Sequence, residues 1–466
     1  MPPEPIVHSG ALGFAALALA PPLARAVEVL GFAQMTPVQA HALPSLLAGR
    51  DVIAQARTGS GKTVAFGLAL LSRVVAHHAQ VQALVLCPTR ELADQVSGEL
   101  RRLARFIPNF RVVTLCGGVP VRTQTPSFQV VPHVVVGTPG RILDHLERRT
   151  FTLNSLSVLV LDEADRMLDM GFFDAIQTVV AQMPAVRQTL LFSATFPKEI
   201  RALSRTLQQD PVEVTVDNTD SGGDIEQMFY EVENSLKVDA LATLFLHHRP
   251  ESSLVFCHTR NDVRDVAEKL SQRGFSVLAL HGEMEQRDRD EVLLRFSNKS
   301  CSVLVATDVA ARGLDIKGLP AVFSFELPTD PDVHVHRIGR TGRAGAKGLA
   351  VTLVSAQERD RLVPIERASG VSVPWSQLPT PTDLKPPRPP MTTLIIDGGR
   401  PDKLRAGDVL GALTGDVGLK ADAIGKIDVG ARQTLVAVRS EFAAAAATGL
   451  RTGKIKGKVF RVGTYN

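Results

Sequence analysis

Only four cysteines, Cys87, Cys116, Cys257 and Cys301, occur in 466 residues, and no two form a CxxC pair. Cysteines so few and so dispersed argue against a disulfide framework or a thiolate metal site and fit a reducing compartment. No uninterrupted apolar run reaches the ~18 residues a membrane helix needs, so no membrane partner is expected. An apolar stretch at residues 11–20 has no Lys or Arg before it and is broken by Pro21-Pro22. It is expected to be an amphipathic entry to the fold rather than an export signal, with the chain in the cytoplasm. Net charge is also scarce, at +4 overall. Residues 391–466 nevertheless hold 12 Lys+Arg against 7 Asp+Glu. A basic module on a nearly neutral body points to nucleic acid. The length calls for about two to four domains.

Two segments carry the chemistry. The apolar run Val158-Leu159-Val160-Leu161 ends in Asp162-Glu163-Ala164-Asp165. This reads as a buried parallel strand with carboxylates at its C-terminal edge, where open α/β sheets place ligands. Earlier, Asp51-Val52-Ile53-Ala54 leads into Ala56-Arg57-Thr58-Gly59-Ser60-Gly61-Lys62-Thr63. Glycines there let backbone N–H groups approach phosphate, Lys62 supplies charge to the β/γ-phosphates and Thr63 a hydroxyl to Mg2+. The strict phosphate-loop pattern wants glycine at 56, where this chain has Ala56. Asp162 is expected to hold Mg2+ through water, Glu163 to orient and deprotonate the attacking water, and Asp165 to tie the loop to its neighbours. The chain is therefore expected to bind and hydrolyse a nucleoside triphosphate. His336-Arg337-Ile338-Gly339-Arg340-Thr341-Gly342-Arg343 offers guanidinium groups suited to transition-state phosphate charge, with Arg340 and Arg343 as candidates.

The chain repeats itself. Leu84-Val85-Leu86-Cys87 is echoed by Leu254-Val255-Phe256-Cys257, and Val135-Val136-Gly137-Thr138 by Leu304-Val305-Ala306-Thr307, both about 170 positions later. Two matches in register predict duplicated α/β domains with parallel sheets. The expected domains are 1–216 and 225–377, joined by a turn-rich linker at 217–224. A proline-rich tether at 378–390 then leads to a module at 391–466. That module reads as strands at 392–396, 424–429, 434–438 and 458–462 and helices at 407–413 and 441–448. The order βαββαβ is a small α+β sandwich of the RNA-recognition type. It lacks paired aromatics on its sheet, so Lys403, Arg405, Lys454, Lys456 and Lys458 are expected to bind RNA.

Together these segments resemble the DEAD-box RNA helicases over residues 14–370. Gly31-Phe32 through Thr36-Pro37-Val38-Gln39 is similar to the Q motif, residues 56–63 to motif I and Pro88-Thr89-Arg90 to motif Ia. Gly117-Gly118 is similar to the GG motif, Thr138-Pro139-Gly140-Arg141 to motif Ib and Ser193-Ala194-Thr195 to motif III. Residues 254–259, Gln286 with Arg289, residues 307–315 and residues 336–343 resemble the motifs of the second domain. The resemblance implies two tandem RecA-like domains and adenine recognition by Gln39 with Phe32 and Thr36. It also implies nucleotide contacts at Asp165, Ser193 and Thr195, and a ribose contact at Asp308. RNA would be gripped by Pro88, Thr89, Arg90, Gly117, Gly118, Thr138, Pro139, Gly140 and Arg141. In the second domain Thr259, Arg260, Gln286, Arg289 and Thr307 would share that grip. ATP and RNA would close the two domains and bend one strand. The module's motifs, Arg405-Ala406-Gly407-Asp408 and Gly453-Lys454-Ile455-Lys456-Gly457-Lys458 among them, resemble a bacterial subgroup. That implies targeting to a hairpin of 23S ribosomal RNA during large-subunit assembly, by a monomer. An ATP-gated RNA clamp is the alternative, and the family's 2′-hydroxyl contacts disfavour a DNA helicase.

Overall fold

The computed structural model describes residues 13–56, 59–196, 198–215, 225–311, 318–342, 347–369, 372–382 and 384–465. The expected linker at 217–224, and Arg57, Thr58 and Arg343 of the expected site, lie outside them.

The first domain holds seven strands. They are β1 (Val52–Gln55), β2 (Ala83–Leu86), β3 (Val112–Leu115), β4 (Val134–Gly137), β5 (Val158–Asp162), β6 (Gln188–Ser193) and β7 (Val212–Thr215). All pair in parallel, in the order β3-β4-β2-β5-β6-β1-β7. Such a sheet needs helical crossovers on both faces, so its strands read as unbroken apolar runs. Alternate residues feed two cores. Val85, Val136, Val160 and Phe192 face one, where Phe66 of the helix Lys62–Arg73 lies 5.4 Å from the Phe192 ring. Leu84, Val135, Leu159 and Leu191 face the other. Each such buried side chain contributes about 1.5–3 kcal/mol.

The second domain repeats the pattern with β8 (Ile225–Glu231), β9 (Ser253–Cys257), β10 (Val277–Leu280), β11 (Val303–Thr307), β12 (Ala321–Ser324) and β13 (Gly348–Val354). Its parallel order is β10-β11-β9-β12-β13-β8. This is the first sheet's order without its last strand, β7. The repeat seen in the sequence extends to register: Leu84 stands opposite Val135 as Leu254 stands opposite Leu304.

The C-terminal module is an antiparallel sheet of β14 (Met391–Ile396), β15 (Ile424–Val429), β16 (Thr434–Arg439) and β17 (Val462–Thr464), ordered β15-β16-β14-β17. The helices Ala406–Gly411 and Ala443–Thr452 supply Val409, Ala446 and Leu450 to the core that Leu394, Ile396, Val436 and Val438 line. The βαββαβ order is as the sequence implies, but the last strand starts later. Residues 455–458 make a tight bridged turn, with Lys456 at φ 53° and Gly457 at φ 79°, so pairing resumes only at Val462.

The module and the second sheet form one compact unit. Thr393, on the sheet face away from the module's helices, is fully buried; its hydroxyl accepts from Asn298 Nδ2 at 3.0 Å and donates to Ser300 Oγ at 2.8 Å. Met391 N donates to Lys299 O, and Arg295 stacks 4.3 Å from the Tyr465 ring centroid. The proline-rich stretch is held at both ends: Ser376 N donates to Phe229 O on β8, and Ser440 Oγ to Pro389 O. All four cysteines are free and buried. Burial pushes the Cys87 thiol well above its ordinary value and Cys116 up to about 12, which makes both poor nucleophiles. Among the described residues no helix is long and apolar enough to cross a membrane.

Candidate nucleotide and RNA site

Most of the first domain's candidate residues lie at the carboxyl ends of its strands, while Phe32, Thr36 and Gln39 precede β1. β1 runs into the loop bearing Gly59 and Gly61, at φ 89° and 91°, and then into the helix that starts at Lys62. Only glycine adopts this left-handed backbone at little cost. A side chain at 61 would also meet Gln39 Nε2 at 2.5 Å. The reason for that close approach is a clasp: Gln39 Nε2 donates to Gly61 O at 3.0 Å, while Gln39 Oε1 accepts from Thr36 N at 2.8 Å. Phe32 sits half-buried nearby, 6.1 Å from the Phe14 ring. Ala56, the departure from the strict loop pattern, donates its N–H to Ser193 O at 2.8 Å.

Lys62 Nζ lies 2.7 Å from Asp162 Oδ1 and 3.7 Å from Glu163 Oε1, and all three side chains are buried. Burial works against the Lys62 ammonium, but Asp162 and Glu163 outweigh it and raise its pKa. Burial is also the larger influence on Asp162, whose pKa rises despite Lys62. Asp162 ends β5, and Glu163 then takes a left-handed backbone at φ 55°, ψ 54° before the helix Ala164–Asp169. A non-glycine residue in that region is strained, a state that clusters at functional sites. Arg166 Nη1 holds Glu163 Oε2 at 2.5 Å. Asp165 Oδ2 accepts from Ala194 N, Thr195 N and Thr195 Oγ1, each at 3.1 Å, and Asp165 N donates to Ser193 Oγ at 3.3 Å. The acidic loop is thus bolted to the end of β6.

Asp162 Oδ2 and Ser60 Oγ are buried without a hydrogen-bond partner among the described residues. Two orphaned oxygens beside a phosphate-type loop fit a hard divalent cation. No three His, Cys, Asp or Glu side chains form a metal-binding group among the described residues. Mg2+, which keeps water and phosphate ligands, suits such a sparse protein donor set. Thr63 is half-buried on the same first helical turn.

Three adjacent strands, β3, β4 and β2, end beside this pocket's sheet edge. Thr89 Oγ1 caps the helix Arg90–Leu103 by accepting from Leu92 N at 3.3 Å, with Pro88 just before it and Arg90 paired to Asp94 at 3.7 Å. Gly117 and Gly118 follow β3, the latter at φ 82°. Thr138, Pro139, Gly140 and Arg141 open the helix Pro139–Glu147 after β4.

Comparison with known proteins shows which family the chain belongs to. Residues 36–203 match the DEAD/DEAH box helicase family, 236–345 the helicase conserved C-terminal domain and 393–463 the DbpA RNA binding domain. The chain is 55% identical over 433 residues to the ATP-dependent RNA helicase DbpA of Escherichia coli, covering 93% of this chain and 95% of that one. The chain belongs to the DEAD-box RNA helicases. It is also 43% identical over 368 residues to the DEAD-box ATP-dependent RNA helicase CshA of Bacillus cereus, covering 79% of this chain and 70% of that relative. Among solved structures it resembles S. cerevisiae Dbp5 bound to RNA and ADP BeF3, with TM-score 0.72, 32% identity and coverage of 78% and 96%. This DEAD-box protein is thus an ATP-hydrolysing RNA helicase with a DbpA-type RNA-binding domain.

In the helicase's second domain the candidates again occupy strand ends. Thr259 follows β9 and caps the helix Arg260–Gln272, accepting from Asp262 N at 3.2 Å, and Arg260 pairs with Glu283. Gln286 Nε2 donates to Asp290 Oδ1 at 2.8 Å on the helix Gln286–Ser297, which also carries Arg289. Thr307 ends β11, its hydroxyl accepting from Ala310 N. Asp308 follows directly, and Arg337, itself fully buried, donates to its two carboxylate oxygens at 2.8 and 2.7 Å. Arg340 is buried two residues after the helix Pro331–Ile338, its carbonyl accepting from Leu319 N. In the module, Lys403, Lys456 and Lys458 line one cavity of about 260 Å³, while Arg405 and Lys454 are exposed near it in sequence. Sequence reasoning missed Arg166 and did not single out Arg337 within residues 336–343, because only the fold reveals the partners of a buried arginine.

Proposed function

We propose that this helicase is directed by its C-terminal module to a 23S ribosomal RNA hairpin, and there couples RNA-stimulated ATP hydrolysis to local strand separation during large-subunit assembly. The convergence of Lys403, Lys456 and Lys458 in a domain of the DbpA RNA-binding type carries this reading. Phosphate contacts from lysine position an RNA without reading its bases, so the cavity's shape must supply the choice of target.

In the nucleotide pocket, Gly59, Ser60, Gly61 and Lys62 receive the phosphates, with Arg57 and Thr58 in the same loop. Asp162 and Thr63 hold Mg2+, which supplies charge neutralisation at the phosphates. Phe32, Thr36 and Gln39 flank the base. Asp165, Ser193 and Thr195 keep the acidic loop rigid. Glu163, oriented by Arg166, accepts the proton of the attacking water. Arg340 and Arg343 steady the transition-state charge when ATP and RNA are bound. For Glu163→Gln we expect turnover to fall by about a hundredfold or more, the usual scale of a lost general base, with nucleotide binding retained. Wild-type turnover would sink the assignment.

The function is tested by steady-state ATPase assays without RNA, with a 23S fragment containing the hairpin, and with unrelated RNA of equal length. Selective stimulation by the fragment, abolished by deleting residues 391–466, is expected. Equal stimulation by both RNAs would reduce the module to a general tether. Slow RNA release in ATP with little duplex separation would instead favour a clamp.

A further inference from the structure

Between Gly118 and β4 lies a segment whose sequence carries no motif, yet it is built with care. It forms a short helix, Val121–Gln124, and a 3-10 turn, Thr125–Phe128. Phe128 stacks flat on Phe151, with centroids 5.1 Å apart, and leans on His145, which anchors the turn to the domain. The turn delivers one side chain inward. Gln124 Nε2 donates to Cys116 O at 2.9 Å. Its Oε1 accepts from Arg141 Nη1 at 2.9 Å and pairs with His145 Nε2 at 3.1 Å. Arg141 Nη1 also donates to Cys116 O at 2.8 Å, and its Nε to Asp144 Oδ2 at 3.3 Å.

We infer that Gln124 is a positioning residue for RNA binding, one that aims Arg141 and fixes the carbonyl preceding Gly117-Gly118. The inference rests on the reading that Arg141 touches the RNA backbone. Arg141's side chain is 10% exposed, and Nε and Nη1 are both spent on protein. That leaves Nη2 as the guanidinium nitrogen without a protein partner among the described residues. A guanidinium held by three acceptors presents its remaining nitrogen in a set direction, whereas a loose one must give up rotamer freedom on binding. Gln124 also links this arginine to the glycine loop, because one carbonyl, that of Cys116, receives both side chains. His145 is fully buried, so its hydrogen bond to the same amide oxygen restrains the amide's rotation.

The test is a double-mutant cycle read by the RNA concentration that half-saturates ATPase activity. Gln124→Ala should raise that concentration about tenfold, the scale of one lost hydrogen bond to a charged group. Turnover at saturating RNA and the KM for ATP should stay within about twofold, a split that general destabilisation would not produce. In an Arg141→Ala background the same change should have little further effect. Gln124→Met, which keeps length and packing without hydrogen bonds, should behave as Gln124→Ala and serves if the alanine variant folds poorly. Arg141→Ala with wild-type half-saturation would overturn the RNA reading of Arg141. An impaired Arg141→Ala beside unaffected Gln124 variants would overturn the positioning role alone. So would equal effects of Gln124→Ala in both backgrounds.

Discussion

At Gly61 two constraints coincide, a left-handed backbone and a glutamine amide in contact with the carbonyl. Alanine there adds about 1–2 kcal/mol of backbone strain and places its Cβ 2.5 Å from Gln39 Nε2 and 2.9 Å from Thr36 Oγ1. The clasp must open, and it spans both the base-side and phosphate-side candidates. Gly61→Ala is expected to weaken nucleotide binding at least about tenfold, a 1.4 kcal/mol loss, in titrations with a fluorescent ATP analogue. Undiminished affinity would show that the clasp is dispensable. A second residue reports through pH. Burial pushes the Glu326 carboxyl from 4.5 up to about 7, although the His258 N–H it accepts works the other way. Between those values the folded protein keeps a proton that the unfolded chain has released, so stability falls as pH rises through the window. The full difference is about 3 kcal/mol. Glu326→Gln should remove it, so the variant's melting temperature should gain on wild type between pH 5 and pH 8. A constant gap across that range would refute the titration.

Elements were legible wherever burial on both faces demanded a particular composition. The runs that became β2, β5 and β9 are apolar apart from the terminal Asp162 and Ser253, as a covered parallel strand must be. The acidic end of β5 marked the nucleotide pocket because nothing else in so apolar a run calls for charge. The start of the last strand was not legible, because Lys456 and Gly457 with positive φ turn a run of lysines and valines that reads equally well as strand. Long-range polar ties were invisible too. Glu358 Oε2 accepts from Lys237 Nζ at 2.7 Å and from Ser355 N and Oγ at 2.7 and 2.9 Å, while Oε1 accepts from Leu327 N at 3.2 Å. One carboxylate thereby gathers the start of the helix Lys237–His248, the strand exit after β12 and the turn after β13. Removing it strands a fully buried ammonium. Glu358→Ala should cost about 3–5 kcal/mol, seen as early melting of the second domain, and Lys237→Met with Glu358→Leu together should recover much of the loss. A single variant as stable as wild type would show that the pair is not needed.

For the whole molecule, the repeat matters more than any single motif. Two sheets share one strand order and one register apart from β7, yet among the described residues the phosphate-type loop follows a strand of the first. The second has arginines in the corresponding neighbourhood of function. On the function proposed above, one scaffold serves twice, its first half assigned to the nucleotide and its second half to cationic groups. The seating of the module on that second half has a metric consequence. Thr393, locked between Asn298 and Ser300, closes its part of the sheet face to RNA bases and ties the module to the second domain. On the function proposed above, a hairpin held by it would lie at a set distance from β9 and β11, like the fixed leg of a compass, and the duplex to be opened would be selected by its spacing along the RNA. Substrates whose gap between hairpin and duplex grows one nucleotide at a time should show a sharp optimum in strand separation; a flat plateau would mean the leg is hinged.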